Sequence, residues 1–235
     1  MNELAEALSM AMGLIVTLDS ALAEIVGLSL YVSLSAVLIA ILIGVPLGAC
    51  VALFTFPGRG PVQVMLNALM GLPPVVVGLV VYLLLSRAGP LGVFGLLYTP
   101  TAMVIAQVVL VTPILAALSR QVFEDLWGEY GEQLTSLGCS RLRAVPTLIQ
   151  DGRFHLLTIV LAGFGRATAE VGAVMMVGGN IDHVTRVMTT TIALEVSKGN
   201  LALALALGII LLSISIAVGA TAYLFKERRQ HRGCP

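Results

Sequence analysis

The feature that most constrains this chain is a set of long stretches without one charged side chain: Gly27 to Phe54, Pro61 to Ser86, Ala88 to Ser119 and Gly199 to Phe225. A helix needs about 20 apolar residues to cross a hydrocarbon core of about 30 Å, and each stretch meets that length. Within the last two, the spans are placed at 98–119 and 201–225. A fifth stretch, Phe154 to Gly178, is equally apolar except for Arg166 and Glu170 near its middle, and is read as a further span. With 58% hydrophobic and 11% charged residues and a mean hydropathy of +1.00, the chain lies outside the range of soluble domains. The fold class expected is all-α: a polytopic helical membrane protein, one transmembrane domain over 1–235 with five core helices. Leu4 to Leu18 is short for a crossing and reads as an interfacial helix, a sixth short span being the alternative. A signal peptide fits poorly, because the first residues carry Glu3 and Glu6 and no Lys or Arg.

Orientation follows from the basic residues. If five spans alternate, Arg59, Arg120, Arg141, Arg143, Arg153, Lys226, Arg228, Arg229 and Arg232 fall on one side, and only Arg87, Arg186 and Lys198 on the other. Basic loops stay in the cytoplasm, which predicts an N-terminus outside and a C-terminus inside a multi-pass cell (inner) membrane protein.

Several functions drop out on composition and motif. Thirteen basic residues balance thirteen acidic ones, so no electrostatic footprint for nucleic acid exists. Cys50, Cys139 and Cys234 form no CxxC pair and do not cluster with His155, His183 or His231, so neither a metal site nor a disulfide framework is expected. No GxxxxGK[ST], HExxH or GxSxG motif is present, and the only lysines are Lys198 and Lys226. The chain is therefore expected to be neither an enzyme nor an ATPase, and to need no cofactor.

Gly and Pro punctuate the spans at Gly44-Val45-Pro46-Leu47-Gly48, Gly71-Leu72-Pro73-Pro74 and Pro113. Helix packing accounts for most of them. The pair Pro73 and Pro74 removes two consecutive amide donors and is expected to break the second span, as in helices that line a polar path. Between the third and fourth spans lies the one long polar loop, 120–153. Tyr130, Leu134 and Leu137 follow helical spacing and Gly138 supplies a stop. Ser140 is an N-cap residue for a second short helix with Leu142, Val145 and Leu148 or Ile149 on one face. Two such helices make a knob suited to a groove on another protein.

Glu132-Gln133-Leu134-Thr135-Ser136-Leu137-Gly138-Cys139-Ser140 resembles the EAA loop of ABC-importer permeases, departing at Gln133 and Leu134, where two alanines would stand, and near Asp151. Gly163 to Asn180 is similar to the Gly-Arg-Ala…Glu-Phe-Gly-Ala…Gly-Asn stretch of permeases for molybdate, sulfate and tungstate. Gly71 to Gly78 and Thr185 to Glu195 look most like the tungstate branch. The resemblance runs from the first span to the fifth. It implies the type I ABC-importer permease (MetI-like) fold, passage of tungstate or molybdate, and a coupling role for Glu132, Gln133, Leu134, Leu137, Gly138 and Ser140. It also implies a homodimer, two ATP-binding subunits and an external oxyanion-binding protein as partners. Five helices are few to enclose a path, which independently favours a two-fold dimer.

Arg166 and Glu170 stand four apart and close enough to pair, since a lone charge in the membrane costs on the order of 3 kcal/mol or more. Two readings stay open: a structural ion pair, or an arginine that meets the passing dianion while Glu170 weakens its hold. Thr168 and Gly172 beside them, with Pro73 and Pro74, complete the candidate pathway set. Val184 to Ser197 reads as a helix at the outer surface. The competing function is an ion channel or ion-coupled secondary anion transporter, which internal repeats and additional intramembrane acids would have favoured.

Overall fold

Each charge-free stretch holds at least one helix, but the helices do not begin or end where the hydropathy does. The computed structural model describes residues 20–230, with Ser9, Met12 and Gly13 before them. The interfacial helix expected at Leu4–Leu18 and the tail after Gln230 lie outside the described residues, apart from those three. In chain order the helices are α1 (Ser20–Leu53), α2 (Arg59–Leu69), α3 (Pro74–Leu85), α4 (Pro100–Ser136), α5 (Arg141–Asp151), α6 (Arg153–Thr168), α7 (Gly172–Gly178), α8 (Met188–Ser197) and α9 (Leu201–Gln230), with a 3₁₀ turn at Gly92–Phe94. No strand occurs among the described residues. Three helices, α1, α4 and α9, are long and apolar enough to cross a membrane. The pairs α2–α3 and α6–α7, bent by 103° and 55°, bring the number to five if each counts as one span.

Helices α1 and α4 form the spine, packed on one another more extensively than any other pair. Their approach depends on two small residues one turn apart. A Cβ on Gly44 would lie 3.0 Å from Leu115 Cβ, and one on Gly48 would lie 2.6 Å from the Ala116 carbonyl. Around this spine the buried side chains sort into two layers. Val32, Val77, Val81, Met103, Leu110 and Val174 fill the layer toward α3 and α7. Leu53, Leu115, Phe123, Leu148, Leu156 and Phe164 fill the layer toward the long polar loop. Helix α9 packs on α8 and α6, and leaves Leu212, Ile216 and Leu224 exposed, as a lipid-facing helix does.

Three expectations need correction. The third span and the first helix of the 120–153 loop are not separate: α4 runs for 37 residues without interruption from Pro100, behind the Thr99 N-cap, to Ser136. At 1.5 Å per residue it is about 55 Å long, nearly twice a hydrocarbon core of about 30 Å. Its polar last third therefore projects beyond the apolar zone as a rigid extension. The span expected over Phe154–Gly178 is not straight either, because it breaks between Thr168 and Gly172. The segment Val184–Ser197 is helical only from Met188, its first part being a turn.

Candidate functional site

The two bent spans meet at their bends. In the first, Pro73 caps α3 with extended backbone and Pro74 occupies its first turn, where no amide partner is needed. The Pro73 carbonyl accepts the amides of Val76 and Val77. In the second, Gly172 opens α7 directly against α3. A Cβ there would lie 2.9 Å from Val75 Cγ2, and one on Gly78 would lie 2.7 Å from Ala173 Cα. Backbones of α3 and α7 thus touch just beside Arg166 and Glu170.

Glu170 is what holds the second bend together. Its Oε2 accepts from Arg166 Nη1 at 2.6 Å and its Oε1 accepts from Ala173 N at 3.0 Å, so one carboxylate ties the last turn of α6 to the first turn of α7. Thr189 of α8 donates its hydroxyl to the Glu170 carbonyl at 2.8 Å. The pair is asymmetric: the Glu170 side chain is 3% exposed and that of Arg166 is 31% exposed. The acid is enclosed with both its oxygens engaged, whereas the guanidinium is partly open. Thr168 donates back to the carbonyls of Phe164 at 3.0 Å and Gly165 at 3.2 Å, so its proton is committed within α6. Gly165 borders open space.

Gln107 was missed by sequence reasoning. It is buried on α4, donates from Nε2 to the Ala167 carbonyl at 3.1 Å, and leaves Oε1 without a partner. With Ser29, Ser33, Thr168, Glu170 and Thr189 it lines a small space beside the bend. Its signal was available: it is the one amide side chain between Leu69 and Arg120.

The loop residues form a second cluster, at the other end of α6, about 20 Å away by helix rise. Helix α4 closes in a Schellman motif: Gly138 has φ +73°, its amide bonds the Thr135 carbonyl, and the Cys139 amide bonds the Leu134 carbonyl, both at 2.9 Å. Ser140 occupies the N-cap position of α5 but makes no side-chain cap bond, a departure from the expected role. Glu132 and Gln133 are exposed and Leu134 is half-buried against a groove shared with Tyr130, Thr147 and Asp151. Leu148 is buried, whereas Leu137 is 82% and Leu142 is 70% exposed, an apolar tip on a polar projection.

At the opposite end of the molecule, loop 179–187 and α8 are tied by short polar links. His183 Nδ1 and Glu24 Oε2 are 2.8 Å apart, and that hydrogen bond, with the negative charge behind it, raises the His183 pKa. Lys198 Nζ donates to Glu195 Oε1 at 2.8 Å and holds that carboxyl below its usual value. Among the described residues, no group of His, Cys, Asp and Glu is placed to hold a metal ion.

No family model matches the chain. It is 41% identical over 227 residues, 97% of its length and 100% of the relative's, to the tungstate uptake system permease protein TupB of Peptoclostridium acidaminophilum. It is 38% identical over 216 residues, 90% of its length and 93% of the relative's, to a probable anion ABC transporter permease protein of Haloferax volcanii. A TupB of Campylobacter jejuni is 40% identical over 149 residues, covering 63% of this chain and 62% of that one. A helical membrane chain with this identity, matched end to end, belongs to the permease subunits of oxyanion ABC transporters.

Proposed function

We propose that this chain is the membrane-spanning subunit of an ATP-driven tungstate importer, working as a homodimer with two ATP-binding subunits and an external oxyanion-binding protein. The observation that carries the reading is the rigid extension of α4 ending in an exposed apolar tip, Leu137 and Leu142, beyond the membrane zone. A solvated loop has no use for such side chains, whereas a partner's groove buries them. Relatives named for tungstate uptake, matched over most of the chain, support tungstate ahead of molybdate. Hydrolysis of ATP belongs to the partner subunits, and residues 120–153 transmit it, with Glu132, Gln133, Leu134, Leu137, Gly138 and Ser140 at the contact. The chain is one transmembrane domain in an inner membrane, its N-terminus outside and its C-terminus in the cytoplasm.

The path runs past the two bends, where Arg166, with Pro73, Pro74, Thr168, Glu170 and Gly172 around it, offers a partly neutralised cation. A path must release its ion as well as admit it, so one arginine already bound to an enclosed acid suits transit better than a basic cage. Arg166→Gln with Glu170→Gln separates this role from a structural one. Uptake is expected to stay impaired in the double variant, and normal uptake there assigns the pair to structure alone. The substrate is tested by co-expressing the chain with its ATP-binding and anion-binding partners and measuring metal accumulation. Tungstate accumulation that a tenfold excess of molybdate or sulfate leaves largely intact is expected, and equal competition by molybdate contradicts the tungstate assignment.

A further inference from the structure

The end of α1 nearest the coupling loop is closed by arginines from elsewhere in the chain. A helix ends in four carbonyls that its own amides cannot reach. Here Cys50 O accepts from Phe54 N at 3.1 Å, Val51 O from Arg59 Nε at 2.8 Å, Ala52 O from Arg59 Nη2 at 2.8 Å and Leu53 O from Arg141 Nη1 at 2.7 Å. All four are taken, three of them by cations, which the negative end of the helix dipole favours.

Each arginine also has a second attachment, and both attachments are on the extension of α4. Arg59 Nη2 donates to Glu124 Oε1 at 2.8 Å, an oxygen that Gln63 Nε2 also reaches at 2.9 Å. Arg120 takes the other oxygen of Glu124. Arg141 lies over the Trp127 ring, 5.7 Å from its centroid. Glu124 and Trp127 stand three residues apart, about one helical turn, on the rod that carries the apolar tip. Arg141 is the first residue of α5, 88 positions from the carbonyl it holds. The loop is thus fastened to α1 through Arg141 and Trp127, and to both α1 and α2 through Arg59 and Glu124. Beyond α2 the 103° bend leads into α3, whose Gly78 touches Ala173 beside Glu170.

We propose that Arg141 and Glu124 are the residues that carry movement of the coupling loop to the ends of α1 and α2, and through α3 to the Arg166–Glu170 bend. They are positioning residues: neither meets the transported ion or the nucleotide. The proposal rests on the reading of 120–153 as the loop that receives the ATPase.

The test uses the full complex in proteoliposomes, with uptake and ATP hydrolysis measured on the same sample. Arg141→Gln is expected to keep hydrolysis within about twofold of the unaltered complex while uptake per ATP falls on the order of tenfold. Arg141→Lys, which keeps a cation at the end of α1, is expected to recover most of that loss. Glu124→Gln, which weakens the second attachment, is expected to lower uptake per ATP in the same direction. Unchanged uptake per ATP in Arg141→Gln overturns the proposal, as does a parallel fall of hydrolysis and uptake, the mark of a purely structural cap. Hydrogen exchange at amides 50–56 gives a reading independent of transport. Vanadate trapping of the ATPase is expected to change protection there in the unaltered complex and not in Arg141→Gln, and an equal change in both contradicts the tie. Absence of ATP-driven uptake in the unaltered complex counts against the functional reading instead, and the exchange result still decides whether the tie transmits.

Discussion

Gly48→Val is expected to keep the chain from accumulating as a folded membrane protein. A Cβ at this position would lie 2.2 Å from Ser119 Oγ, 2.6 Å from the Ala116 carbonyl and 2.9 Å from the Arg120 amide. A hydroxyl can rotate away, but two of those neighbours are backbone, so α1 itself must retreat from α4. Retreat strips contacts from Val37, Ala40, Ala49 and Leu115, buried along the same seam, and overpacking of this kind costs roughly 1–3 kcal/mol before those losses are counted. Valine also lengthens the branch at the point of closest approach. Expression followed by size-exclusion chromatography and thermal unfolding in detergent measures the effect, with Gly219→Val on α9, where nothing lies within 4 Å, as the control. The control is expected to behave as the unaltered chain. A monodisperse Gly48→Val protein with an unshifted unfolding midpoint contradicts the packing account.

The second large effect is expected at Gly138, and it falls on coupling with the fold left intact. Nothing lies within 4 Å of a Cβ built there, so space is not the constraint; the backbone is, at φ +73°. Proline fixes φ near about −65° and has no amide, so Gly138→Pro loses both the left-handed turn and the bond to the Thr135 carbonyl. Helix α5 then leaves α4 in a different direction, and Leu137 and Leu142 no longer present one tip. The membrane helices are untouched. The variant is expected to insert normally and to lose uptake by on the order of tenfold or more relative to ATP hydrolysed. Full coupled uptake would remove the tip from the mechanism.

How much of this was legible in the sequence depends on whether the cause was local. The spans were, because a charge-free stretch of this length has few other homes. The bend before α3 was too, since Pro73 and Pro74 carry their own explanation in the missing amides. The bend before α7 has no such marker: Ala169, Glu170 and Val171 are neither Gly nor Pro. Its causes are one local contact that hydropathy does not mark, the Glu170 carboxylate taking the Ala173 amide three residues on, and one tertiary contact, a Thr189 hydroxyl that donates to the Glu170 carbonyl. Hydropathy likewise hid the continuity of α4, because charges beginning at Arg120 end an apolar run without ending a helix. Glu, Gln and Leu between Gln121 and Ser136 are good helix formers, and only the Schellman glycine stops them. In the candidate path, Arg166 and Glu170 were marked by the cost of charge among apolar residues. Gln107 was overlooked because a neutral amide raises no such alarm, although its burial needs a partner just as a charge does. The arginine caps on α1 could not be read at all: nothing local links Arg141 to Leu53.

The central claim is that this chain carries an oxyanion across the membrane at the expense of ATP hydrolysed by separate subunits. Its most direct test is uptake by proteoliposomes holding the chain with its ATP-binding and anion-binding partners, with ATP supplied to the ATPase side and tungstate, molybdate and sulfate offered in turn. The account predicts tungstate accumulation that requires ATP and the binding protein and stops with vanadate. Accumulation driven by an ion gradient without ATP, or none from an intact purified complex, would contradict it and move the channel or secondary-transporter reading to the front.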